Sequence, residues 1–305
     1  MEISSIGEAM GDVEIDMLER YNIPELVKRT GIPKTFQSTS STVELAARAV
    51  RNLIAKEEDR FETPNLLILV TQTPDDLLPA NAISLANALK LPNSLLAIDL
   101  NQGCSGFVQA LAISYHLLTQ YKRILLVTAD RYRSKLAATD RSTQSVFSDG
   151  AAAVLLSKTN GSGILMEDHV TFGSLRNLLF QSAGNDENDG FLHMAGADVW
   201  LFTAREVAPQ INRMIKAAEK QGLTIRGVYL HQASKLVVDG LKRLLNCSST
   251  LIQQNYDLRG NTVSSSIPLL IKDRPLPDLG PGEAIIFAGF GVGLTSSVLV
   301  YGNLL

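Results

Sequence analysis

The sequence predicts an α/β fold in which sheets are covered by helices on both faces, and three observations support this prediction. Short apolar runs alternate along the chain with longer amphipathic segments, the order typical of layered α/β proteins. Several of these runs are continuous rather than alternating, as expected for strands buried on both faces. The chain has 305 residues, of which 45% are hydrophobic and 19% charged, which is enough apolar material for a large core.

Seven short apolar runs are predicted to be strands, and six longer amphipathic segments are predicted to be helices. The predicted strands cover 65–71, 94–100, 123–129, 151–157, 227–232, 283–289 and 296–302. The predicted helices cover 42–56, 82–90, 105–121, 198–220, 234–246 and 264–272. The segment 174–190 is predicted to be loop-like in its second half, because asparagine, aspartate and glycine cluster there.

Composition and charge exclude several classes of protein. The net charge of -3 and the absence of a basic run do not indicate a nucleic-acid-binding surface. No apolar run approaches the roughly 20 residues that span a bilayer, and the start of the chain lacks the pattern of a secretory signal. Two isolated cysteines are typical of a cytoplasmic chain with reduced thiols. The low charge also indicates that a second copy of the chain covers part of the surface.

The strongest local signal surrounds Cys104, in the stretch AIDLNQGCSGF at 97–107. An apolar strand ends, a glycine permits a tight turn, and a helix begins at the cysteine. A thiol at a helix N-terminus is stabilised as thiolate, so we expect the pKa of Cys104 to fall below the free value of about 8.5. Such a sulfur is a nucleophile, although a buried structural cysteine would give the same pattern. Cys247, near the end of a predicted helix, is expected to be inert.

Two polar residues and a glycine-rich loop are candidate partners of this cysteine. His231 follows a buried strand, where α/β sites gather their chemistry, although a core histidine fits the same place. Asn261 precedes a helix and follows Gly260, and an ordinary turn asparagine would look alike. The loop FAGFGVGL at 287–294 can bring backbone N–H groups close to an oxyanion, but it lacks the lysine and hydroxyl of a phosphate loop.

A weak internal echo divides the chain near residues 160–170. SDGAAAVLLS at 148–157 and GFGVGLTSSVLVYG at 289–302 both place small residues before an apolar strand. Two similar halves would explain the echo, although small residues before a strand are common.

Seven stretches in this order resemble the ketoacyl-acyl-carrier-protein synthase III family of the thiolase superfamily. They are RTGI, GCSGF, FSDGAAAVLL, HMAGADVW, HQAS, GNTVSSSIP and GFGVGLT. The resemblance implies a five-layered α-β-α-β-α fold built from duplicated halves and a homodimer. Residues 1–162 would form the half that carries Cys104, and residues 163–305 the half that carries His231 and Asn261.

The resemblance also implies a decarboxylative Claisen condensation without a metal or cofactor. Cys104 would take the acyl group from a thioester, and His231 and Asn261 would donate hydrogen bonds to the enolate left by malonyl decarboxylation. The backbone N–H groups of Cys104 and Val292 would hold the second oxyanion. An acyltransferase that passes the acyl group to an alcohol or amine, and a non-catalytic subunit of a heteromeric synthase, are the alternatives. A cysteine protease is a third alternative, which the HQAS and GNT contexts disfavour.

Further positions are expected to bind substrate by the same resemblance. Arg29 and Arg141 match residues that grip the nucleotide part of coenzyme A, but Glu25 stands where relatives place a stacking tryptophan. A thioester of acyl carrier protein is therefore expected as donor alongside or instead of a coenzyme A thioester. The remaining expected substrate-binding residues, near the acyl pocket or His231, are Leu78, Phe147, Met194, Ala195, Gly196 and Ser234. Leu78 would cross to the partner's acyl pocket.

Overall fold

The computed structural model describes residues 1–182 and 190–303. Its strands are β1 Glu2–Ile3, β2 Gly7–Met10, β3 Val13–Asp16, β4 Lys34–Gln37, β5 Leu66–Val70, β6 Leu96–Leu100, β7 Arg123–Asp130, β8 Gly150–Ser157, β9 Ser162–Thr171, β10 Leu179–Gln181, β11 Leu192–Met194, β12 Thr224–Leu230, β13 Glu283–Gly291 and β14 Thr295–Asn303. Its α-helices are α1 Met17–Tyr21, α2 Pro24–Thr30, α3 Thr42–Glu57, α4 Asn81–Ala88, α5 Gly106–Leu117, α6 Arg141–Gln144, α7 Gly196–Phe202, α8 Ala208–Lys220, α9 Lys235–Leu244, α10 Tyr256–Arg259 and α11 Ser266–Asp273.

Two sheets form the centre of the molecule. The first has the order β1-β8-β7-β5-β6, with β2 also paired to β8, and its strands β7, β5 and β6 are parallel. The second has the order β12-β13-β14-β9, in which only β12 and β13 are parallel. The chain passes from the first sheet to the second between β8 and β9.

Helices cover both faces of each sheet, so the predicted five-layered fold is confirmed. The helices α5 and α11 lie between the sheets, since α5 contacts β5 and β7 on one side and β13 and β14 on the other. On the outside, α3 and α4 pack on the first sheet and α8 packs on the second. α5 is apolar on most of its surface because it is enclosed by strands on two sides.

All seven predicted strands are present, within a few residues at each end. The segment predicted as one helix over 198–220 is helical throughout, but a π-helical stretch, Thr203–Val207, separates α7 from α8. Pro209 follows this stretch and has no N–H to donate to the preceding turn, which favours the irregularity. Residues 183–189, which make up most of the second half of 174–190 that is predicted to be loop-like, lie outside the described residues.

Among the residues that the structure describes, no helix combines the length and apolarity needed to cross a membrane.

Candidate active site

Cys104 lies in the connection between β6 and α5, two residues before the helix begins. Two glycines allow this connection to pack closely on its neighbours. A Cβ atom on Gly103 would lie 2.3 Å from Oε1 of Gln72, and one on Gly106 would lie 2.5 Å from Cγ1 of Val70. Cys104 is only 6% exposed, so its sulfur is buried and does not lie on the protein surface.

The end of β13 and the glycine-rich loop after it lie directly against Cys104. A Cβ atom on Gly291 would lie 2.8 Å from Cβ and 3.0 Å from Sγ of Cys104, so no side chain fits there. The backbone N–H groups of Val292 and of Cys104 itself lie close enough to the sulfur to lower the pKa of the thiol. Two N–H groups from distant parts of the sequence thus converge beside the candidate nucleophile.

The expected low pKa of Cys104 is wrong. Burial raises the pKa of the thiol to about 12, and the nearby carboxylate of Asp130 raises it further. The N–H groups of Val292 and Cys104 lower the pKa, but burial outweighs them. The first helical residue of α5 is Gly106, so Cys104 precedes the helix. The thiolate therefore loses more stabilisation through lost hydration than it gains from the helix dipole. Cys104 therefore rests as a neutral thiol.

Asp130 is a buried carboxyl group that sequence reasoning missed. It is the last residue of β7 and accepts hydrogen bonds from the Gln72 N–H at 2.9 Å and from the Ser264 N–H and hydroxyl. Burial raises the pKa of Asp130 to about 7. Its signal was its position directly after the predicted strand at 123–129, where site residues of α/β folds collect.

His231 follows β12 and is 2% exposed. Its N–H donates to the carbonyl oxygen of Ala288 in β13 at 2.9 Å, and its Nδ1 lies 2.6 Å from Oγ of Ser266. Burial lowers the pKa of His231 to about 3, so the ring is neutral. No other hydrogen-bond partner of the Ser266 hydroxyl occurs among the described residues, so we assign its proton to Nδ1. The imidazole then carries its own hydrogen on Nε2, as a donor.

Asn261 lies between α10 and α11 and is 4% exposed. Its N–H donates to the carbonyl oxygen of Val146, and its own carbonyl oxygen accepts from the Ser148 N–H. Its side-chain Oδ1 accepts from the Val263 N–H at 3.0 Å, which leaves the Nδ2 amide group as a donor. Val263 adopts a φ of 54°, unusual for a β-branched residue, and this conformation closes the turn onto the amide.

Aromatic rings connect the segments that carry these three side chains. The ring of His231 stands edge-on to Phe290, with centroids 5.6 Å apart, and Phe290 directly precedes Gly291. Phe147 pairs with Asn261 through a β-bridge and stacks on Tyr132 at 5.3 Å. Cys104 and these rings of Phe290, Phe147 and Tyr132 belong to one buried cluster. The structure thus brings the segments of Cys104, His231 and Asn261 to a common centre.

Arg29 and Arg141 line one cavity of about 880 Å³. Lys28 and Lys235 add positive charge, while Glu25 adds a negative charge and lies 3.9 Å from the Lys28 amine. The wall is completed by Ile23, Leu26 and Ser142. This cavity suits an anionic group that is bound largely by its phosphates.

The other expected substrate-binding residues lie in different surroundings. Met194 packs against the buried cluster that contains Cys104, whereas Ala195 is half-buried and Gly196 is exposed. Ser234 is half-buried at the start of α9. Leu78 is 87% exposed, so its side chain makes few contacts within its own chain.

Within residues 1–182 and 190–303, no three histidine, cysteine, aspartate or glutamate side chains form a group able to hold a metal ion.

Comparisons with known proteins extend over nearly the whole chain. A family model described as 3-oxoacyl-[acyl-carrier-protein (ACP)] synthase III matches residues 98–173, and the model of that family's C-terminal region matches residues 215–302. The β-ketoacyl-[acyl-carrier-protein] synthase III of Streptococcus agalactiae is 32% identical over 285 residues, which are 89% of this chain and 88% of that protein. The protein of the same name from Streptococcus gordonii is 32% identical over 286 residues, with the same coverage.

Solved structures give the same likeness. The 3-oxoacyl-(acyl carrier protein) synthase III of Pseudomonas aeruginosa superposes with a TM-score of 0.88 and 25% identity, over 99% of this chain and 98% of that one. The β-ketoacyl-[acyl carrier protein] synthase III of Thermus thermophilus superposes with a TM-score of 0.87 and 28% identity, over 98% of each chain.

Proposed function

The chain belongs to the 3-oxoacyl-[acyl-carrier-protein] synthase III family, the condensing acyltransferases of fatty-acid biosynthesis, and we propose that Cys104, His231 and Asn261 carry out its reaction. Neither transfer to an alcohol or amine nor a purely structural role is favoured by the relatives. The observation that carries the proposal is the convergence of the Val292 and Cys104 N–H groups on one buried sulfur.

In the first stage, Cys104 takes the acyl group from a thioester. Its sulfur forms a bond to the acyl carbon, the donor's carbon–sulfur bond breaks, and the thiol proton leaves with the departing thiol. The N–H groups of Cys104 and Val292 stabilise the negative oxygen of the tetrahedral intermediate. Donors placed in advance of such a charge contribute about 3–4 kcal/mol each.

In the second stage, a malonyl thioester loses carbon dioxide, and the electron pair of the broken bond collects as an enolate. Among the described residues, the Nε2–H of His231 and the Nδ2 amide of Asn261 have no hydrogen-bond partner, so both are proposed as donors to its oxygen. The enolate carbon then attacks the acyl group on Cys104. The sulfur departs as thiolate and recovers a proton from solvent, since the pKa of this thiol is high.

Mass spectrometry of the intact protein tests this assignment. After incubation with acyl thioesters, we expect an adduct on the native enzyme and none on Cys104→Ala. His231→Ala and Asn261→Ala should still be acylated but should fail to release carbon dioxide from malonyl thioester. His116→Ala, which removes an exposed histidine at the far end of α5, serves as control. Equal loss of both stages in the His231 and Asn261 variants would contradict the roles proposed.

The acyl donor is proposed to be a thioester of acyl carrier protein or coenzyme A, whose phosphates would lie in the cavity of Arg29 and Arg141. The four cations around that cavity support a phosphate-bearing donor. We place the enzyme in the cytoplasm, because its cysteines are free and its nucleophile must stay reduced.

We further propose that the enzyme is a homodimer joined through β6. Among the described residues β6 pairs only with β5, which leaves an apolar strand edge open to a second copy. Large exposed apolar side chains lie around this edge: Leu77, Leu78, Ile83 and Leu96. In a dimer of this kind, Leu78 can reach the partner's site.

The double variant Ile83→Asp/Leu96→Asp should convert the dimer to a monomer in light-scattering measurements, because two charges would be buried without partners. Leu244→Asp, which places the same charge on an exposed leucine of α9, should leave the mass unchanged. A native monomer, or a charged β6 variant that stays dimeric, would refute this interface.

A further inference from the structure

A chain of two buried hydroxyl groups connects the neighbour of Cys104 to the glycine-rich loop. The Oγ atom of Ser105 lies 2.8 Å from Oγ1 of Thr295, and Oγ1 of Thr295 donates to the carbonyl oxygen of Val292 at 3.0 Å. Thr295 has one hydroxyl proton, and that proton is used on Val292. Ser105 must therefore be the donor in the first bond, so the order of donation runs from Ser105 through Thr295 to Val292.

Ser105 gives up an ordinary structural role to make this bond. It occupies the N-cap position of α5, where serine side chains usually accept from the first N–H groups of the helix. Its side chain makes no such bond here. The hydroxyl instead reaches a residue 190 positions away in the sequence and is 1% exposed. The usual N-cap hydrogen bond of serine is thus replaced by a contact with the glycine-rich loop.

The loop needs such a restraint because its own backbone is permissive. Val292 lies between Gly291, with a φ of 154°, and Gly293, with a φ of 129°, and glycine resists rotation little in these regions. The loop is also short of space, since a Cβ atom on Gly293 would lie 2.7 Å from Cγ2 of Thr295. A fixed carbonyl on Val292 limits rotation of the residue whose N–H faces Cys104.

We propose that Ser105 and Thr295 are positioning residues that hold the Val292 N–H group against the sulfur of Cys104. This inference rests on the proposed function, in which that N–H stabilises the oxyanion during acyl transfer. Neither hydroxyl touches the reacting atoms. Because the donors proposed for malonyl decarboxylation are His231 and Asn261, the hydroxyl chain should govern acyl loading and leave decarboxylation alone.

The test compares the two half-reactions in Thr295→Val, which keeps the shape of the side chain and removes its hydroxyl. Rapid-quench mass spectrometry should show acyl loading of Cys104 slowed by about tenfold to a hundredfold, because displaced catalytic groups cost rates of this order. The concentration of acyl donor that half-saturates loading should not change. Thr295→Ser restores the donor and should recover loading to within about threefold of the native rate.

A purely structural defect would lower the rate of malonyl decarboxylation as well as the rate of acyl loading, so decarboxylation is the second readout. Measured as carbon dioxide release from malonyl thioester in a Cys104→Ala background, it should be the same with and without Thr295→Val. Thr203→Val is the matched control, because it removes a buried hydroxyl whose one hydrogen bond among the described residues goes to the Val199 carbonyl oxygen, one turn earlier. Ser105→Ala removes only the hydrogen bond from Ser105 to Thr295 and should slow acyl loading about threefold. This variant is used for the test if Thr295→Val does not fold.

Unchanged loading in Thr295→Val would overturn the inference and leave the proposed function standing. Loading and decarboxylation that fall together would also overturn it, because the defect would then be structural. A native enzyme that forms no adduct on Cys104 would overturn the proposed function, and the inference with it.

Discussion

At the scale of single residues, the site separates two kinds of hydrogen-bond donor. Backbone N–H groups lie beside the sulfur of Cys104, whereas His231 and Asn261 each use one side-chain atom as an anchor and keep another without a partner among the described residues. The imidazole is anchored through Ser266 and the amide through Val263. A neutral histidine suits the role proposed for His231, because a donor to an enolate oxygen need not carry charge.

Asp130 should control the reactivity of Cys104 in a pH-dependent way. With a pKa of about 7, Asp130 is mostly neutral at pH 6 and mostly ionised at pH 8.5, where its charge raises the pKa of the thiol. Asp130→Asn should therefore speed alkylation of Cys104 by iodoacetamide about two- to tenfold at pH 8.5 and have little effect at pH 6. The rate is read from the Cys104 peptide in a Cys247→Ser background.

Asp168→Asn, an exchange of a half-buried carboxylate on β9, is the control for this measurement. A ratio of rates that is the same at both pH values would show that Asp130 does not act through its charge. An alkylation rate that levels off near pH 7 in the native enzyme would contradict the raised pKa of Cys104.

At the scale of elements, the position of β13 against the start of α5 shapes the site. The strand carries Phe290 and Gly291 to Cys104 and accepts the N–H of His231 on its other side. A strand of the second sheet thus forms part of the surroundings of a nucleophile that follows a strand of the first sheet. The sequence signal for this contact was the glycine pattern in 287–294, which allows close approach of a backbone.

Gly291→Ala tests that close approach. The new Cβ atom would overlap Cys104 and would also disfavour the φ of 154°, so the loop or the sulfur must move. We expect acyl loading to fall at least about a hundredfold and the free energy of unfolding to fall by about 1–3 kcal/mol. Loading is measured by mass spectrometry and stability by urea unfolding.

Gly173→Ala is the matched exchange, because nothing lies within 4 Å of its Cβ position. It should change neither quantity. A native rate of acyl loading in Gly291→Ala would show that the loop does not pack directly against the sulfur.

The elements that sequence reasoning found and missed differ in burial. Continuous apolar runs such as 65–71 and 283–289 predicted the central strands, because both faces of those strands are covered. The ten-residue strand β9 was missed, since its second half alternates between half-buried and exposed residues at a sheet edge. The short strands β1 to β4 carry too few residues for a periodic signal.

The convergence of the three candidate segments agrees with the sequence prediction, whereas the electrostatics of the site were not predictable. Cys104, His231 and Asn261 stand in recognisable local patterns, and their segments do converge. The sign of the Cys104 pKa shift depends instead on burial and on Asp130, 26 positions away in sequence, which no local pattern reports. The hydroxyl bond from Ser105 to Thr295 spans 190 positions and was equally invisible.

At the scale of the whole molecule, few ionic contacts among the described residues join the two sheet systems, and Arg259 makes the best shielded of them. Its guanidinium contacts Asp273 through two bonds, at 3.0 and 2.7 Å, and Glu8 of β2 at 2.8 Å. The three side chains are between 11% and 24% exposed. Lys272 approaches Glu8 at 3.5 Å and does not replace this bridge.

Arg259→Met should lower the free energy of unfolding by about 2–3 kcal/mol, because two shielded carboxylates lose their main partner. The value is measured from the shift of the urea midpoint. Arg213→Met, which breaks an exposed pair with Asp168, should change it by less than about 0.5 kcal/mol. Equal effects in the two variants would show that burial adds nothing to the Arg259 contact.

The left-handed turn at Val263 bears on how the enzyme can be engineered. A β-branched residue held at a φ of 54° costs of order 1–3 kcal/mol, and the surrounding packing must offset that cost. Exchange of Val263 for glycine would relieve this strain but would also remove a fully buried side chain, so heat resistance should not rise. Because the same exchange would loosen the turn that anchors the Asn261 amide, engineering for thermal tolerance should leave this position unchanged.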